Sequence, residues 1–257
     1  MRAGPFVVQL LALLAAALGF VASPALAQHV AAAANLQSVL PEVVAAYVRQ
    51  GGQAPRLAYG SSGNFVRQIR QGAPFELFLS ADSAHVDAVI AAGLGEGAPR
   101  VFALGRLALF LPAGSPVAAD RDLADLGRAL RDGRLKRLAI ANPEHAPFGR
   151  AAKEVLERQG HWTTAADRLV LGDNAAQAAQ FMLTGAAQAG LLPLSLAKAP
   201  EVAARGAYAT LPANWHGPLP QTALLVRGSG EPARRFAAFL HGPEAREIFR
   251  RHGFDLP

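Results

Sequence analysis

The stretch Tyr59-Gly60-Ser61-Ser62-Gly63-Asn64 predicts a turn that leads from a strand into a helix. An apolar segment precedes it, and Phe65, Val66 and Ile69 follow at helical spacing. The first N–H groups of a helix have no acceptor within it, and the helix dipole there favours negative charge. The two serines add hydroxyl donors, and the glycine lets the backbone approach a ligand closely. The stretch is therefore either an anion-binding turn or an ordinary serine-capped turn.

Apolar runs and helical patterns alternate on both sides of this turn. The runs that predict strands are residues 30–34, 75–80, 107–111, 138–141, 169–171, 189–192 and 219–226. Helical spacing follows most of them, and Asp82 is placed to cap one of these helices. Such alternation predicts an α/β protein whose mostly parallel sheets are flanked by helices. Ligands bind such sheets at the carboxyl ends of the strands.

Four strand-to-helix turns carry small, amide or hydroxyl residues. They lie at Asn35, at Ser61 and Ser62, at 142–149, and before Ala175. We expect the chain to cross to a second lobe near Arg106-Leu107 and to return near Thr222-Ala223. The lobes would then be 28–106 plus 223–257 and 107–222, with the four turns facing one cleft between them.

The first residues have the pattern of a secretory signal peptide. Met1-Arg2 is a positive start, residues 6–21 are apolar, and Ala25-Leu26-Ala27 is an A-x-A cleavage site. We therefore expect a signal peptide over 1–27 and a mature chain that starts at Gln28. The chain has no cysteine, which excludes an N-terminal lipid-modified cysteine, disulfides and thiol nucleophiles. No later segment is apolar for long enough to span a bilayer, so we expect the mature protein to be soluble.

The composition and motifs favour binding of a small anion over other functions. The net charge is +6, but the arginines are scattered and aromatic residues are sparse, so we expect no nucleic-acid partner. No HExxH, P-loop or GxGxxG motif is present, and no Ser-His-Asp order is persuasive. His145 has no partner at metal-ligand spacing and is expected to be structural. The sequence thus predicts no enzyme and no cofactor, and a cleft in which neutral donors hold a dianion.

Four segments carry a family resemblance. They are Ala31-Ala32-Ala33-Ala34-Asn35-Leu36, residues 59–69, residues 72–82, and Asn142-Pro143-Glu144-His145-Ala146-Pro147-Phe148-Gly149. Together they resemble the periplasmic molybdate-binding proteins of bacterial molybdate ABC transporters, in the same order and over essentially the whole mature chain. The resemblance implies a two-lobed type II periplasmic binding fold that closes on molybdate or tungstate. It also implies delivery of the ion to a membrane permease with its cytoplasmic ATPase.

The resemblance further implies a set of ligand positions. These are Ala34, Asn35, Ser61, Ser62, Phe148 and Ala175. Asn35, Ser62, Phe148 and Ala175 would contact the oxygens of the ion, without direct ligation of the metal. Phe148 stands where relatives often have Tyr or Ala, and Pro193 stands where some relatives have a Tyr whose hydroxyl reaches the ion. Both hydroxyls are missing, so donation from the second lobe would rest on the backbone N–H groups of Phe148 and Ala175.

Three alternatives to molybdate transport are also compatible with the sequence. The missing hydroxyls at Phe148 and Pro193 motivate a binder of another oxyanion, such as sulfate or phosphate. An exported enzyme would use His145 with Ser61 or Ser62, but the sequence identifies no third residue to orient the base. A ligand-sensing subunit would share the same binding cleft. We expect a monomer.

Overall fold

The structure is a computed structural model that describes residues 28–257, which form two five-stranded sheets. The predicted signal peptide, residues 1–27, lies outside the described residues. Strands β1 to β10 are, in chain order, His29–Ala33, Arg56–Gly60, Leu77–Ser80, Gly95–Leu104, Leu107–Pro112, Leu138–Ala141, Leu169–Gly172, Ala189–Pro193, Gly206–Thr210 and Pro220–Val226.

Each sheet is mixed, with a parallel part and an antiparallel part. The first sheet has the order β2-β1-β3-β10-β4, and the second has the order β7-β6-β8-β5-β9. In the first, β1 runs parallel to β2 and β3, whereas β10 runs antiparallel to β3 and β4. In the second, β6 runs parallel to β7 and β8, whereas β5 runs antiparallel to β8 and β9. The two-sheet α/β architecture matches the predicted fold class, but the sheets are mixed rather than mostly parallel, because β10 and β5 each run antiparallel to both of their neighbours.

Eleven α-helices flank the sheets within the described part of the chain. Helices α1 to α11 are, in chain order, Leu40–Arg49, Ser62–Arg70, Ser83–Ala91, Ala124–Arg131, Pro147–Arg158, Trp162–Ala165, Ala175–Leu183, Leu194–Ala197, Pro200–Ala203, Glu231–Phe239 and Pro243–Arg251. The first helix begins later than its apolar pattern suggests, because Pro41 has no N–H and is tolerated only in a first turn. Ala34–Leu36 forms a separate 3₁₀ turn before it.

Two strands were not predicted from the sequence. The strand β4 contains two glycines and a proline, and β9 is only five residues long with a glycine and two alanines beside its tyrosine and threonine, so the local signal for each strand is weak. Each forms because it pairs with a strand far away in the chain: β4 with β10, and β9 with β5.

The alanine-rich first strand is buried on both faces. Val30 and Ala32 pack into one apolar cluster with α1, and Ala31 packs into another with Phe65 and Phe78. Alternate side chains of a strand point to opposite faces, so two helical layers cover this strand. The small alanine side chains allow both helical layers to approach this strand closely.

The chain crosses between the sheets at two adjacent segments. The first crossing joins β4 to β5 through Gly105 and Arg106, and the second leads into β10 at Pro220. The N–H of Gly105 donates to the carbonyl of Leu219 at 2.8 Å, so the two crossings lie side by side. The strand β10 belongs to the first sheet from Pro220 onward. Within residues 28–257, no helix combines the length and apolarity needed to cross a membrane.

Candidate anion-binding site

A small cavity lies where strand-to-helix turns of both sheets meet. Its volume is about 10 Å³, far below the roughly 300–1,000 Å³ of sites for drug-sized ligands, so it leaves no room for an organic molecule of that size. The residues that line it are Ala33, Ala34, Asn35, Gly60, Ser61, Ser62, Ala81, Ala146, Pro147, Phe148 and Ala175. All six predicted site residues are therefore brought together. A larger cavity beside Arg205 includes none of them.

Four backbone N–H groups around this cavity have no acceptor among the described residues. They belong to Asn35 in the 3₁₀ turn, Ser62 at the start of α2, Phe148 at the start of α5 and Ala175 at the start of α7. Neighbouring N–H groups in the same turns are bonded: Gly149 donates to the carbonyl of Ala146 at 2.9 Å, for example. Buried N–H groups are nearly always paired, so four unpaired ones at one cavity indicate a place for an acceptor.

Two serine hydroxyls lie at the same cavity but have different partners. Ser62 is fully buried, and its Oγ accepts the N–H of Ala81 at 3.1 Å. Its hydroxyl proton therefore remains available to a ligand. Ser61 caps α2 by accepting the N–H of Asn64 at 3.3 Å, which is one of the two roles that the sequence left open for this turn. Tyr59 packs in the apolar core of the first sheet, where burial raises the pKa of its hydroxyl to about 12.

Asn35 is oriented by a residue that the sequence analysis missed. The Nδ2 of Asn35 donates to Oε1 of Gln221 at 2.7 Å, and Nε2 of Gln221 donates to the carbonyl of Leu219 at 2.9 Å. Because the Leu219 carbonyl only accepts, it fixes the Gln221 amide and through it the Asn35 amide. The signal available in the sequence was a glutamine within the apolar run of β10, and the structure shows that this glutamine is buried.

The helix that carries Phe148 approaches the end of β6 very closely. A Cβ on Gly149 would lie 2.3 Å from the carbonyl oxygen of Ala141, so only glycine fits there. The Phe148 ring is buried against the first crossing segment, where a Cβ on Gly105 would lie 2.8 Å from its Cζ. Pro193 ends β8 and does not line the cavity.

No ionisable side chain lines the cavity among the described residues, but an ion pair lies beside it. Arg150 of α5 contacts Asp82 of α3, with 2.5 Å between Nη2 and Oδ2. Asp82 also caps α3, as predicted, by accepting the N–H of His85 at 3.1 Å. Burial raises the pKa of Asp82, but the bonds from His85 and Arg150 outweigh it and lower that pKa to about 2. Asp82 is therefore an anion that is already neutralised by its own partners.

His145 reaches from the second sheet to the predicted anion turn. Its Nδ1 lies 3.1 Å from Oγ of Ser61, and its carbonyl accepts the N–H of Gly63 at 3.0 Å. No third residue beside this histidine could be identified from the sequence, and here the structure differs. Asp173 Oδ1 lies 3.7 Å from Nε2, and the two Asp173 oxygens accept from Nδ2 of Asn64 at 3.0 and 2.9 Å. These bonds join the turns of the two sheets at the mouth of the cavity.

The site has no arrangement for holding a bare metal ion. Within residues 28–257, no group of three or more His, Asp or Glu side chains is placed to hold one. The donors at the cavity are N–H and O–H groups, which match the oxygens of an anion rather than a cation.

Comparison with known proteins agrees with this geometry. A family model described as bacterial extracellular solute-binding protein matches residues 29–255. The molybdate-binding protein ModA of Rhodobacter capsulatus is 35% identical over 238 residues, which cover 91% of this chain and 90% of that protein. ModA of Escherichia coli (strain K12) is 32% identical over 251 residues, which cover 94% of this chain and 95% of that protein.

A solved structure gives the same result. The periplasmic molybdate-binding protein of Azotobacter vinelandii superposes with a TM-score of 0.78 at 29% identity, covering 90% of this chain and 99% of that one. The family resemblance noted from the sequence is thereby confirmed. The chain belongs to the bacterial extracellular solute-binding proteins and, among them, to the family of the molybdate-binding proteins ModA.

Proposed function

We propose that this chain binds molybdate as the solute-binding protein of a bacterial ABC transporter. The observation that carries the proposal is the set of four unpaired N–H groups, on Asn35, Ser62, Phe148 and Ala175, around one small cavity without charged lining residues. A tetrahedral dianion supplies acceptors for these donors, and the helix dipoles behind three of them favour its charge. The relatives named above are molybdate-binding proteins, and solute-binding proteins are not enzymes.

The six lining residues Ala34, Asn35, Ser61, Ser62, Phe148 and Ala175 form the proposed ligand site. The hydroxyl of Ser62 and the four N–H groups contact oxygens of the ion, so the metal has no protein ligand. Molybdate is the transported ligand and not a cofactor. The neutral donors also favour a fully deprotonated ion, because a ligand proton that is buried without an acceptor costs about 1–3 kcal/mol.

The wider setting follows from the family. We propose that the chain acts in the periplasm as a monomer, that it also takes tungstate, and that it delivers the ion to a membrane permease with its ATPase. Two lobes centred on the two sheets, broadly 28–106 plus 223–257 and 107–222, would open and close about the adjacent segments at Gly105 and Leu219. Export would use the predicted signal peptide.

Titration calorimetry on the chain from Gln28 tests this function. We expect tight one-to-one binding of molybdate and tungstate and no heat from sulfate or phosphate at equal concentration. Competition experiments in which sulfate or phosphate displaces molybdate would reassign the ligand to another oxyanion. If none of the four ions gave any heat of binding, the proposed transport function would be wrong.

A further inference from the structure

Ser61 lies at the cavity, but its hydroxyl is shared with a histidine of the other sheet. Its Oγ accepts the N–H of Asn64 at 3.3 Å and lies 3.1 Å from Nδ1 of His145. Ser61 is 3% exposed and lines the cavity, and the ring nitrogen of His145 is the acceptor for its proton that the described residues place within hydrogen-bond distance. The protonation state of His145 decides whether His145 or a bound ligand receives the proton.

A hydroxyl has one proton and two lone pairs. The N–H of Asn64 uses one lone pair of Ser61. When Nδ1 of His145 carries a proton, it donates to the second lone pair, and the Ser61 proton is free for an anion. When Nδ1 carries none, Ser61 donates to it instead, and the cavity loses a donor.

The carboxylate of Asp173 lies on the Nε2 side of the His145 ring. Its Oδ1 is 3.7 Å from Nε2, too far for a hydrogen bond, but its negative charge favours the neutral tautomer that carries its single proton on Nε2. Nδ1 then gains a proton only when the ring is an imidazolium. The number of protons on His145 therefore sets the number of donors at the cavity.

We propose that doubly protonated His145 is a positioning residue that turns the Ser61 hydroxyl toward the bound oxyanion. The inference rests on the proposed function, because it concerns the same cavity. It couples closure to affinity, since His145 belongs to the loop between β6 and α5 of the second sheet, whereas Ser61 follows β2 of the first. The donor is completed only when the two turns meet.

Other ionisable groups surround this contact and must be separated from it. Asp173 lies beyond the ring, and Glu144 precedes it in the chain. His85 approaches the same turn from the first sheet: if Gly63 had a Cβ, that atom would lie 3.0 Å from Nε2 of His85. The pair Asp82–Arg150 lies next to His85, and Arg67 donates to Oδ1 of Asn64.

The test is the pH dependence of the dissociation constant for molybdate, measured on the chain from Gln28 at a series of pH values between about 5 and 8. We expect wild-type affinity to fall about ten- to hundredfold as pH rises, the effect of one hydrogen bond to a charged group. His145→Asn should abolish the slope, because an amide Nδ2 donates to Ser61 at every pH. The dissociation constant of Ser61→Ala should likewise not change with pH, and its affinity for molybdate should be weaker than that of the wild type.

Two control variants isolate the contact. His85→Asn and His216→Asn should keep the wild-type slope, since neither residue touches Ser61. Protonation of the ion itself would appear equally in His145→Asn, so it cannot imitate the effect. If the melting temperature of His145→Asn shows that this variant does not fold, the pH profile of Ser61→Ala provides the test instead.

Several outcomes overturn the inference. A flat wild-type profile would do so, as would a wild-type slope in Ser61→Ala or His145→Asn, or a slope that disappears in His85→Asn. A wild-type chain that binds no molybdate at any pH would instead overturn the proposed function.

Discussion

Arg150 Nη2 lies 2.5 Å from Oδ2 of Asp82, so an ion pair joins a helix of the second sheet to a helix of the first beside the cavity. The Asp82 carboxylate is buried, whereas the Arg150 side chain is 44% exposed. The pair exists only while the two sheets face each other closely. In the proposed closure of two lobes, the pair would stabilise the closed arrangement, although neither residue lines the cavity.

Arg150→Gln should weaken molybdate binding by about 1 kcal/mol, roughly fivefold in the dissociation constant, because closure loses a partly exposed ion pair. The change should appear as faster dissociation, measured by stopped-flow fluorescence. Arg158→Gln is the matched control, since Arg158 is exposed on the same helix and has no ion pair within residues 28–257. Equal dissociation rates in both variants would remove Arg150 from the closing mechanism.

The same carboxylate gives a prediction for acid stability. The pKa of Asp82 is lowered to about 2 in the folded chain, below its ordinary value, so its bonds stabilise the fold above the unfolded pKa. That stabilisation should be lost as pH falls from about 4 toward 2. Thermal unfolding at a series of pH values measures it. Asp82→Asn should flatten the curve in this window, and an unchanged curve would contradict the assignment.

Ser62→Ala should weaken molybdate binding by about 1–3 kcal/mol, the scale of one hydrogen bond to a charged ligand. It should also lower the free energy of unfolding, because the buried N–H of Ala81 loses its acceptor. Calorimetry gives the first quantity, and denaturant unfolding without ligand gives the second. Ser83→Ala is the control, since Ser83 also begins a helix but does not line the cavity. Wild-type affinity in Ser62→Ala would remove this hydroxyl from the site.

Gln221 offers a comparison between two substitutions. Gln221→Leu removes the acceptor for Asn35 and should weaken binding by about 1–3 kcal/mol through loss of its orientation. Gln221→Glu keeps that acceptor but adds a buried carboxylate that faces the Leu219 carbonyl and repels an anion. Its affinity should be lower still and should fall further as pH rises. If Gln221→Glu binds as well as wild type at neutral pH, Gln221 is not coupled to the site.

Much of the fold and the site could be predicted from the sequence because their signals are local. Ser62, Phe148 and Ala175 each lie in the first turn of a helix that follows an apolar strand, and the residues that start helices can be recognised from a single stretch of chain. Asn35 follows the first strand in the same way. The family resemblance then selected these positions from other strand-to-helix turns.

The residues that support the site could not be predicted because their partners are distant in the chain. Gln221 meets Asn35 across 186 positions, and Asp173 meets Asn64 across 109. The position of Gln221 within an apolar run is a weak local signal that does not name its partner, and no local pattern distinguishes Asp173 from an aspartate in solvent. The strands β4 and β9 were missed for a similar reason, since pairing with distant strands overrides their weak local preference.

The most direct test is the anomalous difference map, recorded at the molybdenum absorption edge, of a crystal of the chain from Gln28 grown with molybdate. We expect one strong peak in the cavity, with oxygens about 2.7–3.2 Å from the N–H groups of Asn35, Ser62, Phe148 and Ala175. The Ser62 hydroxyl should lie within the same distance of an oxygen. A peak only at exposed arginines, or an unoccupied cavity in protein that binds molybdate in solution, would contradict the account.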